Sequence, residues 1–105
     1  MASLNTTLEK DIEKKLRKMV ENHGGLCLKW VCPGWSGVPD RIVLLPGGRV
    51  IFVETKRPKG GEIGKLQMWW HKRLEGLGFW VLFVRDEENI KTLELVIMDE
   101  LGRRK

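Results

Sequence analysis

Apolar residues recur at Leu8, Ile12, Leu16, Met19 and Val20, intervals that line one face of a helix, and the pattern stops at Gly24-Gly25. Thr6 and Glu9 have the spacing of a capping box, so a first helix is predicted over about residues 7 to 22. Residues 26 to 32 read as a strand, 33 to 39 as a turn-rich loop, and Arg41–Leu45 as a second strand closed by Pro46-Gly47-Gly48. The third strand is Arg49–Thr55, and so short a glycine-rich link makes an antiparallel hairpin of the two. A polar stretch with proline and glycines ends that strand, and a helix follows over about residues 65 to 77, stopping at Gly78. Residues 79 to 84 are continuously apolar, which predicts a central strand with helices on both faces. Asp86 can cap a last helix carrying Ile90, Leu93, Ile97 and Leu101. The expected architecture is α/β: a small mixed β-sheet flanked by helices.

At 105 residues, the chain is one domain, 1–105, large enough to bury a core without disulfides. No internal repeat or low-complexity segment interrupts it. The formal net charge of +5 favours a polyanionic partner. Cys27 and Cys32, the two cysteines, fall on opposite sides of the first predicted strand and lack the spacing of a zinc knuckle or redox pair, so they read as buried reduced thiols. No apolar run approaches the ~20 residues needed to span a bilayer, and the first residues do not resemble an export signal. A soluble, cytoplasmic protein with no membrane association is expected. His23 and His71 lack metal-ligand spacing and receive no catalytic role.

Two charges at the end of the third strand have no structural purpose there. Strand alternation projects Glu54 and Lys56 from one side, and the turn Gly37-Val38-Pro39-Asp40 delivers a second carboxylate close by. Carboxylates brought together repel and raise each other's pKa, a cost that a bound divalent cation removes. Hydrolysing a phosphodiester needs charge neutralisation, an activated water and a stabilised leaving oxygen, all of which Mg²⁺ on oxygen ligands supplies. Asp40 and Glu54 are the candidate ligands, joined by a backbone carbonyl, that of Thr55, with Lys56 placed to orient water or stabilise developing charge. An exposed Glu54–Lys56 ion pair is the plainer alternative for that triplet. Lys29, Arg41, Arg57, Lys59 and Lys65 lie near this centre in sequence and are candidates for tracking a phosphate backbone. Trp69 and Trp70, adjacent on a helix, point about 100° apart and cannot both face the core.

The combination of Pro39-Asp40 at a strand start, a hairpin, and Glu54-Thr55-Lys56 at the end of the next strand resembles the PD-(D/E)XK nuclease superfamily. More narrowly, G-V-P-D-R-I-V-L-L-P-G-G-R-V-I-F-V-E-T-K, the Gly-Gly-x-x-x-Lys run from Gly24 to Lys29, and Q-M-W-W-H-K-R-L-E-G-L-G-F from Gln67 are similar to the VRR-NUC (virus-type replication-repair nuclease) family, in its stand-alone viral or bacterial form. The resemblance implies a restriction-endonuclease-like αβββαβ core and a Mg²⁺- or Mn²⁺-dependent endodeoxyribonuclease, with Asp40, Glu54 and Lys56 on its P-D and E-x-K positions. It implies that Gln67 lies near the active centre and that a first-helix glutamate completes the site. Glu9 and Glu13 compete for that place, and helical phasing favours Glu9, which falls inside the arc of Leu8, Leu16 and Val20. The implied substrate is branched DNA, Holliday junctions above all, cut by a homodimer carrying two active sites. The rivals are a non-catalytic nucleic-acid-binding protein that keeps the fold, and a flap or restriction-type nuclease.

Overall fold

The computed structural model describes residues 4–56 and 62–103, with side chains described from residue 10. The elements follow in the order α1 (Leu4–Asn22), β1 (Leu26–Lys29), β2 (Arg41–Leu45), β3 (Arg49–Thr55), α2 (Lys65–Gly76), β4 (Trp80–Val84) and α3 (Glu87–Gly102). The strands form one mixed sheet in the order β1-β2-β3-β4. β2 is antiparallel to β1 and to β3, whereas β4 runs parallel to β3 after the α2 crossover. This is the αβββαβ arrangement expected, with α3 appended.

The hairpin register is set by its turn. Gly47 and Gly48 both adopt positive φ (86° and 75°), a conformation that side-chain-bearing residues resist, and the turn pairs Leu45 with Arg49. Ile42 then stands opposite Phe52 and Arg41 opposite Val53. Strand alternation splits the apolar residues between two faces. On one, Val43, Leu45, Ile51, Val53 and Val84 pack with Leu16, Met19 and Val20 of α1 and Ile90, Leu93 and Ile97 of α3. On the other, Phe52 and Val81 pack with Leu74 of α2, flanked by Trp30, Ile42 and Val50.

Three expectations change in detail. β4 lies at the sheet edge, beside β3, and is not central. Its apolar run reflects helices on both faces, Val81 packing toward α2 and Val84 toward α1 and α3, and such cover is equally available to an outer strand. α1 begins at Leu4, so the Thr6–Glu9 capping box is not its start. Threonine inside a helix costs only about 0.7 kcal/mol or less, too little to hold the boundary there. β1 ends at Lys29, and Cys32 lies beyond it, half-buried, while Cys27 is buried. The C-terminal helix is capped as expected, Asn89 N–H donating to the Asp86 carboxylate at 2.8 Å. Glu100 ties α3 to the sheet, accepting from Arg49 Nη1 at 3.0 Å and from Trp80 Nε1 at 2.9 Å. Among the described residues no helix is long and apolar enough to cross a membrane.

Candidate active site

Extending the β2–β3 register by one residue sets Asp40 opposite Glu54, where the two strands end beside α1 and the start of α2. Backbone and side chain lock the pair together. The Asp40 N–H donates to Glu54 Oε2 at 3.1 Å. In return, Thr55 N–H donates to Asp40 Oδ1 at 2.8 Å, and the Thr55 hydroxyl donates to Oδ2. Trp30 N–H donates to the Asp40 carbonyl at 2.8 Å, so the end of β1 fixes the same residue.

Glu54 is only 4 % exposed. Its pKa is pushed up to about 7 by burial first, then by the side-chain contact and charge of Asp40, with the Asp40 N–H and the Lys56 charge pulling the other way. Gln67 organises the remaining groups. Its Oε1 accepts from Gly64 N–H at 3.0 Å, the reach-back half of a capping box, and from Lys56 Nζ at 2.9 Å. Its Nε2 is thereby turned toward Glu54 Oε1, to which it donates at 2.6 Å. One amide thus spaces the lysine from the buried carboxyl. Lys56 Nζ also donates to the Glu62 carbonyl at 3.1 Å.

An open pocket of about 230 Å³ is lined by Ile12, Glu13, Asp40, Thr55 and Lys56. Glu13 therefore sits on the pocket wall, its carboxylate 3.2 Å from Arg41 Nη2. The side chain of Glu9, favoured by helical phasing, lies outside the described residues, as do Arg57 and Lys59. Lys29 and Lys65 are exposed, at the end of β1 and the start of α2. Arg41 is largely covered, turned toward α1 and Glu13. His71, one helical turn beyond Gln67, is buried and stacks on Phe83 with centroids 4.3 Å apart. Burial lowers its pKa, and its Nε2 has no partner among the described residues.

The donor set suits a hard divalent cation. Each carboxylate oxygen of Asp40 and Glu54 accepts one hydrogen bond within the site, which leaves each a second lone-pair direction. The raised pKa of Glu54 marks a place where negative charge lacks compensation. Among the described residues no three His, Cys, Asp or Glu side chains converge closely enough to cage an ion. Mg²⁺ does not require that, since it keeps several waters and takes one or two carboxylates.

Sequence reasoning reached Asp40, Glu54, Thr55, Lys56 and Gln67, which the fold brings together. It did not single out the Glu13–Arg41 pair, which joins α1 to β2 and leaves no local signature. Nor did it single out Trp35, whose ring meets Trp70 of α2 edge-on; an indole in a turn-rich loop was the available signal.

No family model matches the chain. A curated protein of Acyrthosiphon pisum secondary endosymbiont phage 1, named "Putative nuclease p44", is 44 % identical over 85 residues, 81 % of this chain and 89 % of that protein. A solved structure described as a VRR_NUC domain superposes with a TM-score of 0.74 at 32 % identity, covering 81 % of this chain and 91 % of that one. With the hairpin carrying Asp40 and Glu54, these likenesses give a nuclease-type function, and the chain belongs to the VRR-NUC family.

Proposed function

We propose that the protein is a Mg²⁺- or Mn²⁺-dependent endodeoxyribonuclease that cuts branched DNA, Holliday junctions in particular, as a homodimer. The carrying observation is the joined Asp40–Glu54 pair, buried enough to hold Glu54 near neutrality, with the Lys56 ammonium fixed beside it through Gln67. Asp40, Glu54 and the Thr55 carbonyl would hold the cation, and a helix-one acid would complete the set; Glu13 is supported by its place on the pocket wall, while the side chain of Glu9 lies outside the described residues. When bound, such a cation neutralises the phosphate and lowers the pKa of water. Lys56 orients the attacking water and stabilises charge, and Gln67 holds Lys56 and Glu54 at a fixed separation. Lys29 and Lys65, with Arg57 and Lys59, supply phosphate contacts that position DNA without reading bases. Arg41 serves the pocket wall through Glu13.

The sheet supports a dimer. α2 covers only part of its face, and Leu26, Leu28 and Leu44, all on that face, are 53 %, 46 % and 36 % exposed. Burying such a patch favours association, and two-fold symmetry presents two active sites to a four-way junction.

Purified protein incubated with four-way junctions, flaps and plain duplex, with Mg²⁺, Mn²⁺ or chelator, tests the reading. Paired nicks in the junction, dependent on the cation, are expected. Binding without nicking would establish the non-catalytic rival, and a preference for flaps the flap-type one.

A further inference from the structure

A second recess, of about 360 Å³, is lined by Gly34, Trp35, Ser36, Leu66, Trp69 and Trp70. It shares both of its segments with the active site: the loop leads into Asp40, and α2 carries Gln67 between Leu66 and Trp69. The two segments are fastened closely. Gly37 has φ +87°, and a Cβ there would stand 2.7 Å from Leu66 Cγ. Trp70 Nε1 donates to the Ser36 carbonyl at 3.0 Å. Trp70 forms the floor, meeting Trp35 and Trp69 at 85° and 88° with centroids 5.7 and 5.0 Å away. The two outer indoles are 61 % and 53 % exposed, an arrangement that packing alone does not require.

The surroundings of Trp69 are cationic. On a helix its neighbours lie three and four positions away, and these are Lys65, Leu66, Lys72 and Arg73. The three basic residues are exposed and form no ion pair among the described residues. Exposed aromatic rings inside a cationic rim combine the two contacts a single strand needs, a stacking surface for a base and positive charge for its phosphates. A paired duplex hides its base faces. A second copy of the chain fits poorly, because a two-fold contact through this patch would set the basic rim against itself.

We propose that this recess binds an unpaired nucleobase of the DNA, stacked on Trp35 or Trp69, with its flanking phosphates held by Lys65, Lys72 and Arg73. The inference deepens the nuclease reading and rests on it for the identity of the polyanion: within branched DNA, the enzyme recognises a branch point at which a base has come unpaired beside the cut.

Fluorescence anisotropy in chelator, with a dye-labelled short oligothymidylate and an abasic oligonucleotide of equal length and charge, tests it without any cleavage. The wild type should prefer the oligothymidylate by at least about fivefold, the lower range for one stacked base. Trp69→Ala and Trp35→Ala should reduce that preference toward unity, while Trp80→Ala, on the opposite face of the sheet, should preserve it. Should Trp69→Ala fail to fold by circular dichroism, Trp35→Ala on the loop decides. Equal affinity of the wild type for both probes would overturn the proposal. So would a preference that survives the two recess substitutions, including the case in which they instead dissociate a dimer. Metal-dependent nicking is scored separately. Nicking without base preference removes the recess proposal alone, and base preference without nicking removes the enzyme reading.

Discussion

Glu54→Gln removes a charge at nearly constant volume and separates the electrostatic cost of the site from its shape. In the metal-free protein the folded pKa of Glu54 is about 7, against an ordinary 4.5, so the native state holds this proton more tightly than the unfolded chain. Stability from this source is fully present below the unfolded value and is lost as pH rises through the folded one. The displacement corresponds to about 3 kcal/mol, which the wild type in chelator should lose from this group between about pH 4.5 and 8. The variant lacks the ionisation and should lack this slope. It has its own penalty. Gln67 Oε1 is committed to Lys56 and Gly64, so Gln67 Nε2 and the Asp40 N–H both point donors at residue 54. A glutamine offers one acceptor oxygen and must set its NH₂ against the other donor, at a cost of about 1–3 kcal/mol. Glu54→Gln is therefore expected to be less stable than the wild type near pH 5 and equal to it or more stable near pH 8. Urea denaturation across this range, followed by circular dichroism in chelator, measures the crossing. Parallel curves for the two proteins would refute the reasoning. Adding Mg²⁺ should flatten the wild-type slope, since the cation favours the ionised carboxylate.

The same Glu54→Gln protein, and Asp40→Asn, should lose junction nicking while retaining junction binding in a gel-shift assay. Lys56→Met should lower the nicking rate with little change in DNA affinity, read from single-turnover kinetics. Glu100→Ala removes the carboxylate to which Arg49 and Trp80 both donate, leaving Arg49 its bond to the Arg103 carbonyl, and should cost about 1–3 kcal/mol in urea denaturation, with nicking at permissive temperature unchanged. Gly37→Ala places a methyl group against Leu66 at a positive φ and should cost at least about 1–2 kcal/mol, measured the same way.

The hairpin was legible because two local signals agree on it: alternation fixes which residues share a face, and the paired glycines fix the register. Together they place Asp40 against Glu54 before any tertiary contact is considered. The position of β4 was not legible, because a helix on each face gives an edge strand and a central strand the same apolar run. The surroundings of Glu13 were equally hidden. Phasing measures a residue against its own helix, whereas Glu13 is held by Arg41, a strand residue twenty-eight positions away in the chain. The Trp35–Trp70 contact likewise joins a loop to a helix that nothing in the loop foretells.

Asp40, Glu54, Thr55, Lys56 and Gln67 all belong to the stretch that runs from the start of β2 into the first turn of α2. Closing one hairpin and seating one helix end is enough to gather them, and such short-range closures come early and cheaply in folding. Glu13, with Ile12 beside it, arrives from a distant part of the chain. On the proposed reading the site is therefore modular: a nearly self-contained cassette, plus Glu13, brought to the pocket wall by the docking of α1. Sequence change in that docking surface would then shift Glu13 against the pocket while the cassette itself stays intact.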